Sequence, residues 1–243
     1  MYYDSNFAIV VPMANEEKEF DVFALELRNI LTKLHAGMIY FIVDNASKDR
    51  TIELCQELSK QDSRFITVYA PENKNVVDAY LRGYREAYNR GHDIVVEMDA
   101  GLSHDPKAIP MFLRVLDEGN ECAFGSRFIN GGSIQDSNIY RYFLSKFGTI
   151  LSNGLLGTRM RDMTSGFQAF HRHIVKEIID HPFRSKAHFF QTELRYLLRR
   201  KRFAEVPIHY SSPSPRVSRK AVRNAVSVLL YYFFKRVTLH GGR

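Results

Sequence analysis

From residue 7 to residue 126 the chain repeats one rhythm: a short apolar run, a polar turn, then a segment with one apolar face at helical spacing. The runs are FAIVVP (7–12), MIYFIVD (38–44), residues 65–70, DIVVEMD (93–99) and ECAFGS (121–126). Between them, Phe20, Phe23, Leu27, Ile30 and Leu34 recur with a period near 3.6, as do Val77, Tyr80, Leu81, Tyr84 and Tyr88 within 76–90. Helices are also predicted over 51–60 and 106–118, with Pro106 suited to a first turn. Strands rich in Ile and Val that alternate with amphipathic helices bury both of their faces only in a mostly parallel sheet covered on each side. An α/β fold is therefore expected, with hydrophobic content of 45% ample for its core.

Three acids follow three of these strands: Glu16 after the first, Asp44 after the second and Asp99 after the fourth. A parallel sheet brings its carboxyl ends to one edge, where open α/β sheets bind ligands. A row of carboxylates there suits the base and ribose of a nucleotide and a cation on a diphosphate. No G-x-G-x-x-G follows the first strand and no G-x-x-x-x-G-K-[ST] occurs, which disfavours an NAD-type site and a P-loop. H-E-x-x-H and paired-Cys zinc spacings are also missing, and Ser126 and Ser165 lack a nucleophile elbow. Two cysteines, Cys55 and Cys122, make no disulfide framework, so a reducing compartment is expected. Residues 1–6 are polar and do not read as a secretory signal.

Beyond Arg127 the rhythm changes. Residues 130–133 form a Gly-rich loop, 139–156 a long helix, 164–170 a short strand, 189–202 a helix and 204–210 a strand, with a break at 211–215. A last helix is predicted from about 218 to 239. The net charge of +7 is concentrated at this end: from Arg195 to Arg243 there are twelve Lys/Arg and one acid, Glu205, whereas the part before carries 22 bases and 26 acids. A basic tail on a mildly acidic body points to an anionic partner. The last helix carries Val222, Val226, Leu229, Phe233 and Val237 on one face, with Arg219, Arg223 and Lys235 off it. Its apolar run, 225–234, is far short of the ~20 residues of a membrane span. A basic amphipathic helix of this kind is expected to lie in a membrane interface. Nucleic acid is not an expected partner, because the acidic row would repel it.

Several blocks then occur in series. VVPMANEE resembles P-x-Y-N-E with Ala14 in place of Tyr, and VDNASKDRT resembles D-D-x-S-x-D-G-T with Asn45 and Arg50 as departures. EMDAGLSHDP resembles a D-x-D segment and GSRFINGG a G-[ST]-R-Y-x-x-G-G loop; RYFLS, RDMTSGFQAF, FFQTEL and FAEVPIHY follow in the expected order. Together they resemble family 2 glycosyltransferases of GT-A fold, closest in pattern to the dolichol- and polyprenyl-phosphate enzymes. The resemblance runs from Phe7 to about Arg219. It implies a GT-A (Rossmann-like) domain over 1–210 and a basic membrane-associating segment over 211–243.

The resemblance further implies a nucleotide-sugar donor, GDP- or UDP-linked. Pro12, Ala14 and Glu16 would frame the nucleoside, Asp44 would meet base or ribose, and Asp99 with Ala100 the diphosphate and its cation. Arg216 and Arg219 would close over the diphosphate, although the tail motif R-x-x-G-x-S-K is altered, with Pro213 and Arg216 where Arg and Gly are usual. Arg127, Arg141 and Ser145 match positions that bind an acceptor phosphate, with Arg127 also placed at the chemistry beside Asp99. Gly101 stands where the second Asp is usual. Mg²⁺ or Mn²⁺ held by Asp99, phosphates and water remains compatible with that loss, as does a metal-independent mode using Arg or Lys.

The expected activity is transfer of a hexose, with inversion, from the nucleotide sugar to polyprenyl or dolichyl phosphate, by an enzyme peripheral to the cytoplasmic face of a membrane. An acceptor phosphate is already an anionic nucleophile. A glycan hydroxyl, the alternative acceptor for capsule or lipopolysaccharide synthesis, needs a base, for which Asp99 and Glu193 are candidates. The non-enzyme alternative is a basic membrane-binding module, which leaves the row Glu16, Asp44 and Asp99 unexplained.

Overall fold

The computed structural model describes residues 6–135, 139–211 and 218–240, and for 135, 139–141, 239 and 240 the backbone alone. A seven-stranded sheet runs in the order β3-β2-β1-β4-β7-β5-β8. Its strands are β1 (Phe7–Met13), β2 (Met38–Val43), β3 (Phe65–Tyr69), β4 (Ile94–Glu97), β5 (Cys122–Ser126), β7 (Gln168–His171) and β8 (Phe203–Pro207). Only β7 is antiparallel to its neighbours. A small parallel pair, β6 (Ser133–Gln135) with β9 (His209–Ser211), stands beside the sheet.

The period-2 rule sorts each strand cleanly between two apolar layers. Phe7, Ile9 and Val11 face one cluster together with α1 (Phe20–Leu34), α2 (Thr51–Gln61) and α4 (Ile109–Asp117). Ala8 and Val10 face the other, with α3 (Val76–Asn89), α6 (Arg172–Asp180), α7 (Phe190–Leu197) and α8 (Arg219–His240). The α3 layer lies close because of Gly83: a Cβ there would sit 2.1 Å from Val10 Cγ1. The remaining helix, α5 (Ile139–Leu156), has the predicted bounds and contacts α8.

Differences from the expected elements are local. Residues 106–108 form a 3₁₀ turn ahead of α4, with Asp105 accepting a bond from the Lys107 amide. The run expected as one strand at 204–210 divides into β8 and β9, because Pro207 has no N–H to continue a ladder and Ile208 turns into the core. The helix expected over 189–202 stops at Leu197, and α6, with Ile174, Val175 and Ile178 buried, was not anticipated. In α8 the face turned inward carries Val228, Leu229 and Tyr232; Val222, Val226, Leu230, Phe234 and Val237 are the exposed apolar residues. Leu229, expected on the exposed face, is therefore in the core.

Candidate active site

β1 leads through α1 to β2 on one side, and β4 joins β1 on the other, all three parallel, so strand order reverses at the β1/β4 boundary. At that point the carboxyl ends of parallel strands part and leave a crevice. A cavity of about 520 Å³ opens there. Pro12, Ala14, Glu16, Asp44, Asp99 and Ala100 all line it. The three carboxylates, 83 positions apart from first to last, thus share one cavity. Lys74 is the one lysine or arginine among its described lining residues.

Two loops at the rim are knitted together. Asn15, at φ 60°, receives the Lys48 amide on Oδ1 at 2.8 Å and donates from Nδ2 to Ala46 O at 3.2 Å. Its own amide donates to Ser47 Oγ, and the Glu16 amide to Thr51 Oγ1 at 2.8 Å. Asp49 is the knot, accepting from the amides of Glu17 and Thr51 and from the Ser47 and Thr51 hydroxyls. Burial works against its charge, but these bonds outweigh it and bring its pKa to about 2. The S-x-D-x-T part of the second motif is therefore a loop clasp that sets where Asp44 and Glu16 stand. Asp44 itself accepts from the Ala46 amide at 2.8 Å.

Asp99 is held from two sides. Tyr80 donates its hydroxyl to Oδ1. The Asp99 amide donates to His104 Nδ1 at 3.1 Å, so Nε2 carries the imidazole proton, 3.7 Å from Asp99 Oδ2. His104 is 1% exposed and stacks on Phe167. Burial pushes it below the usual histidine range, against the pull of Asp99, which keeps it neutral.

Behind Asp99 the same arrangement repeats. Tyr84 donates to Glu97, which also accepts from Gln168 Nε2 at 3.1 Å and Gln191 Nε2 at 2.6 Å. Four residues of α3 advance about 6.0 Å, and two residues of extended chain, from the end of β4 at Glu97 on to Asp99, about 6.6 Å. Tyr80 and Tyr84 therefore meet Asp99 and Glu97 as two rungs of one ladder. Burial raises the Glu97 pKa to about 7, even though Tyr84, Gln168 and Gln191 all bond its carboxylate.

Gly101, at φ +70°, bears on metal binding. A Cβ at this position would lie 3.0 Å from Glu19 Oε2 and 3.3 Å from Glu16 Oε2. Two carboxylates thus reach the place that the side chain of an aspartate would enter. Burial, followed by Glu19, Asp49 and Asp99, raises the Glu16 pKa to about 7. Among the described residues no group of three or more His, Cys, Asp or Glu side chains forms a metal cage. The donor set instead fits Mg²⁺ or a similar ion in its usual open mode, with one or two carboxylates and the rest from phosphates and water.

The arginines stand elsewhere. Arg127 is buried and bonds Asp162 in a fork, Nε to Oδ2 at 2.7 Å and Nη2 to Oδ1 at 2.9 Å, with Nη2 also on Thr164 Oγ1. Its guanidinium lies 5.5 Å from the Tyr210 ring centroid, and Tyr210 lines the cavity. Burial opposes the Asp162 charge, but Arg127 and Arg195 hold its carboxyl far below the usual range. Arg127 is thus behind the cavity wall. Ser145 is half-buried on α5 and Arg219 is exposed at the start of α8, neither lining the cavity. The Arg141 side chain and Arg216 lie outside the described residues. Glu193 faces inward, accepting from the amides of Arg184 and Ser185 and from Tyr232 Oη at 2.8 Å.

Tyr80, His104, Glu97, Glu19 and Lys74 were not singled out from sequence. Glu97 did carry a signal, a charge inside the apolar run IVVEM, and Tyr80 with Tyr84 put two hydroxyls at i, i+4 on an otherwise apolar face.

A mostly parallel sheet, covered on both sides and with an acidic cavity at its switch point, is the GT-A-like arrangement of glycosyltransferases. Glucosyl-3-phosphoglycerate synthase from Mycobacterium tuberculosis, solved with Mn²⁺, UDP-glucose and phosphoglyceric acid, superposes with a TM-score of 0.70. It does so over 95% of this chain and 80% of that one at 17% sequence identity, a likeness of fold. Residues 8–179 match the Glycosyl transferase family 2 model, and the chain belongs to that family. It is 29% identical over 219 residues to polyprenol monophosphomannose synthase of Mycolicibacterium smegmatis, covering 89% of this chain and 81% of that protein. It is 30% identical over 174 residues to dolichol-phosphate mannosyltransferase of Pyrococcus furiosus, covering 70% of this chain and 47% of that enzyme. The protein is a glycosyltransferase, and the family and fold implied by the motif series are borne out.

Proposed function

We propose that this glycosyltransferase moves a hexose from a nucleotide sugar to polyprenyl phosphate at a membrane surface. The observation that carries this reading is the single cavity shared by Glu16, Asp44 and Asp99. Pro12 and Ala14 form one wall for the nucleoside, Asp44 accepts from base or ribose hydroxyls, and Asp99 stands at the diphosphate. The names of the relatives support the acceptor.

In the reaction the acceptor phosphate oxygen attacks the anomeric carbon as the bond to the diphosphate breaks. Displacement from the opposite face inverts that carbon, and the nucleoside diphosphate departs. No proton has to leave the attacking oxygen. Of the two bases considered for a hydroxyl acceptor, Glu193 is bonded into the interior, and Asp99 stands where the diphosphate is expected. The chain's task is then to place two anions end to end and offset charge on the leaving group.

Three carboxylates and one lysine around a diphosphate would repel it. A divalent cation resolves that conflict, and Asp99 would hold it together with diphosphate oxygens and water. When bound it would supply Lewis-acid stabilisation of the departing diphosphate. Tyr80 holds the Asp99 carboxylate and His104 its backbone amide, and Lys74 adds a positive charge within the cavity. Arg127 acts through the wall, orienting the Tyr210 edge, while Arg141 and Ser145 on α5 would meet the acceptor phosphate.

No helix among the described residues is long and apolar enough to cross a membrane. Contact with a bilayer surface would come from α5, where Phe143, Phe147 and Ile150 are 61%, 62% and 60% exposed, and from the outer stripe of α8. Lys220, Arg223 and Lys235 would favour an anionic, cytoplasmic leaflet.

The deciding experiment offers radiolabelled GDP- and UDP-sugars with polyprenyl phosphate and follows label into an organic-extractable, mild-acid-labile lipid. Transfer should occur from one nucleotide class and cease on exhaustive chelation, returning with Mg²⁺ or Mn²⁺. Label entering only glycan, or no transfer from any donor, would reject this acceptor.

A further inference from the structure

A second cavity, of about 400 Å³, opens where the carboxyl ends of α5 and α7 meet α8. Arg159, Arg199, Arg200 and Arg236 line it, and no acidic residue does. It shares no lining residue with the donor cavity. The end of α5 at Leu156 is also roughly 22 Å of helix away from position 141, where the acceptor phosphate is expected.

Two of the four guanidiniums are fixed by the fold. Arg236 Nη1 donates to Leu155 O at 3.0 Å and to Gly154 O at 3.4 Å, carbonyls in the last turn of α5. Gly157 makes this approach feasible: at φ +67°, a Cβ there would come within 2.4 Å of the Arg236 guanidinium carbon. Arg199 Nη1 donates to Tyr196 O at 2.7 Å, near the end of α7, and its guanidinium lies 4.0 Å from the Tyr196 ring centroid. Arg159 and Arg200 make no hydrogen bond or ion pair among the described residues, and both are exposed.

Helix capping accounts for part of this charge only. Each carboxyl terminus presents about half a negative charge, so two helix ends offset about one of four positive charges. The surplus is held around a concavity by two anchored and two exposed guanidiniums. Guanidinium forks match the oxygens of a phosphate, and arms without a partner can close on it at little cost.

We propose that this cavity binds a phosphate group, as a site distinct from both substrate positions of the transferase. The ligand class is a phosphomonoester, either the headgroup of an anionic lipid or a soluble phosphate. The site does not depend on which donor or acceptor the enzyme uses.

The test uses the full chain and the double variant Arg159→Gln/Arg200→Gln, whose substituted side chains are exposed. Lys33→Gln/Lys60→Gln, on the exposed ends of α1 and α2 and lining neither cavity, makes the same charge change as a control. Phosphatidylcholine vesicles containing phosphatidic acid or phosphatidylserine are sedimented with protein, with and without inorganic phosphate. A thermal melt with inorganic phosphate alone is run alongside. A preference for phosphatidic acid that inorganic phosphate competes away identifies a lipid source. It should weaken about tenfold in the cavity variant and persist in the control, as expected for the loss of charge-assisted bonds. A melting shift with inorganic phosphate that the cavity variant loses, without lipid preference, identifies a soluble source. The proposal is overturned if the wild type shows neither effect, or if the control variant loses them as fully as the cavity variant.

Discussion

Replacing Tyr80 by Phe removes one oxygen from the ladder between α3 and β4 and tests whether that ladder orients the active carboxylate. Tyr80 is 3% exposed and its hydroxyl donates to Asp99 Oδ1. Burial, with Asp99 and Glu97 adding, holds the phenol well above its usual pKa, so it remains a donor at every working pH. A hydrogen bond to a charged group contributes about 1.5–3 kcal/mol. The Asp99 side chain is 43% exposed, so water replaces part of that bond, which favours the lower half of the range. A loss of about 1.5–2 kcal/mol corresponds to roughly 10–30-fold in kcat. KM for the donor should change by less, because the proposed nucleoside contacts of Asp44 and the β1 wall do not involve Tyr80. Initial rates of sugar transfer to lipid separate the two constants. Tyr84→Phe is the control: its partner Glu97 lies one rung deeper, outside the cavity lining, so it should lower the melting temperature and leave kcat within about threefold. Equal kcat for Tyr80→Phe and wild type, or an equal loss in both variants well below their melting temperatures, would refute a positioning role.

Three other perturbations follow from the same geometry. Glu97 has a folded pKa of about 7 against a usual 4.5, so the folded state binds its proton more tightly than the unfolded chain. Stability from this group is full below about pH 4.5 and is lost as pH rises through about 7, a change on the order of 3 kcal/mol. Glu97→Gln should therefore flatten the decline of melting temperature between pH 5 and 7.5, and an unchanged slope would disprove the assignment. Gly83→Ala places a methyl 2.1 Å from Val10 Cγ1 and should destabilise the fold by about 1–3 kcal/mol in a urea titration, despite the better helix propensity of alanine. Gly101→Asp rebuilds the D-x-D pattern but at φ +70° and against the carboxylates of Glu19 and Glu16, so in chelator it should cost about 1–2 kcal/mol of stability. A higher melting temperature for that variant without metal would show that the two glutamates do not occupy this space.

The fold was legible where local pattern and tertiary demand coincide. Ile9 and Val10 sit on opposite faces of β1, and each face meets a helix whose apolar stripe was visible in the chain. Legibility failed where a tertiary partner decides the outcome. The division at Pro207 depends on β6, a three-residue strand with no periodicity to read, being available to pair with β9. In α8 every face carries aromatic or aliphatic residues, so spacing alone did not show that Leu229 would turn inward with Val228 and Tyr232.

The site divides along the same line. Glu16, Asp44 and Asp99 could be grouped from sequence because parallel topology sends all three strand ends to one edge, whatever the side chains do next. Arg127 could not be placed in this way. Its residue type and its position after β5 suit a phosphate, but its partner Asp162 is 35 positions away, after a helix and a loop. Once both are in the core, a guanidinium left unpaired would be far costlier than one forked onto a carboxylate, so the fork forms wherever the chain permits it. Arg195 then bonds the Asp162, Gly125 and Ser165 carbonyls, with burial lowering its pKa to about 10, and stays charged at neutral pH. The cluster of Arg127, Asp162 and Arg195 therefore keeps one net positive charge behind the Tyr210 wall. A buried charge is screened less than a surface one, so it can draw an acceptor phosphate toward the cavity without touching it.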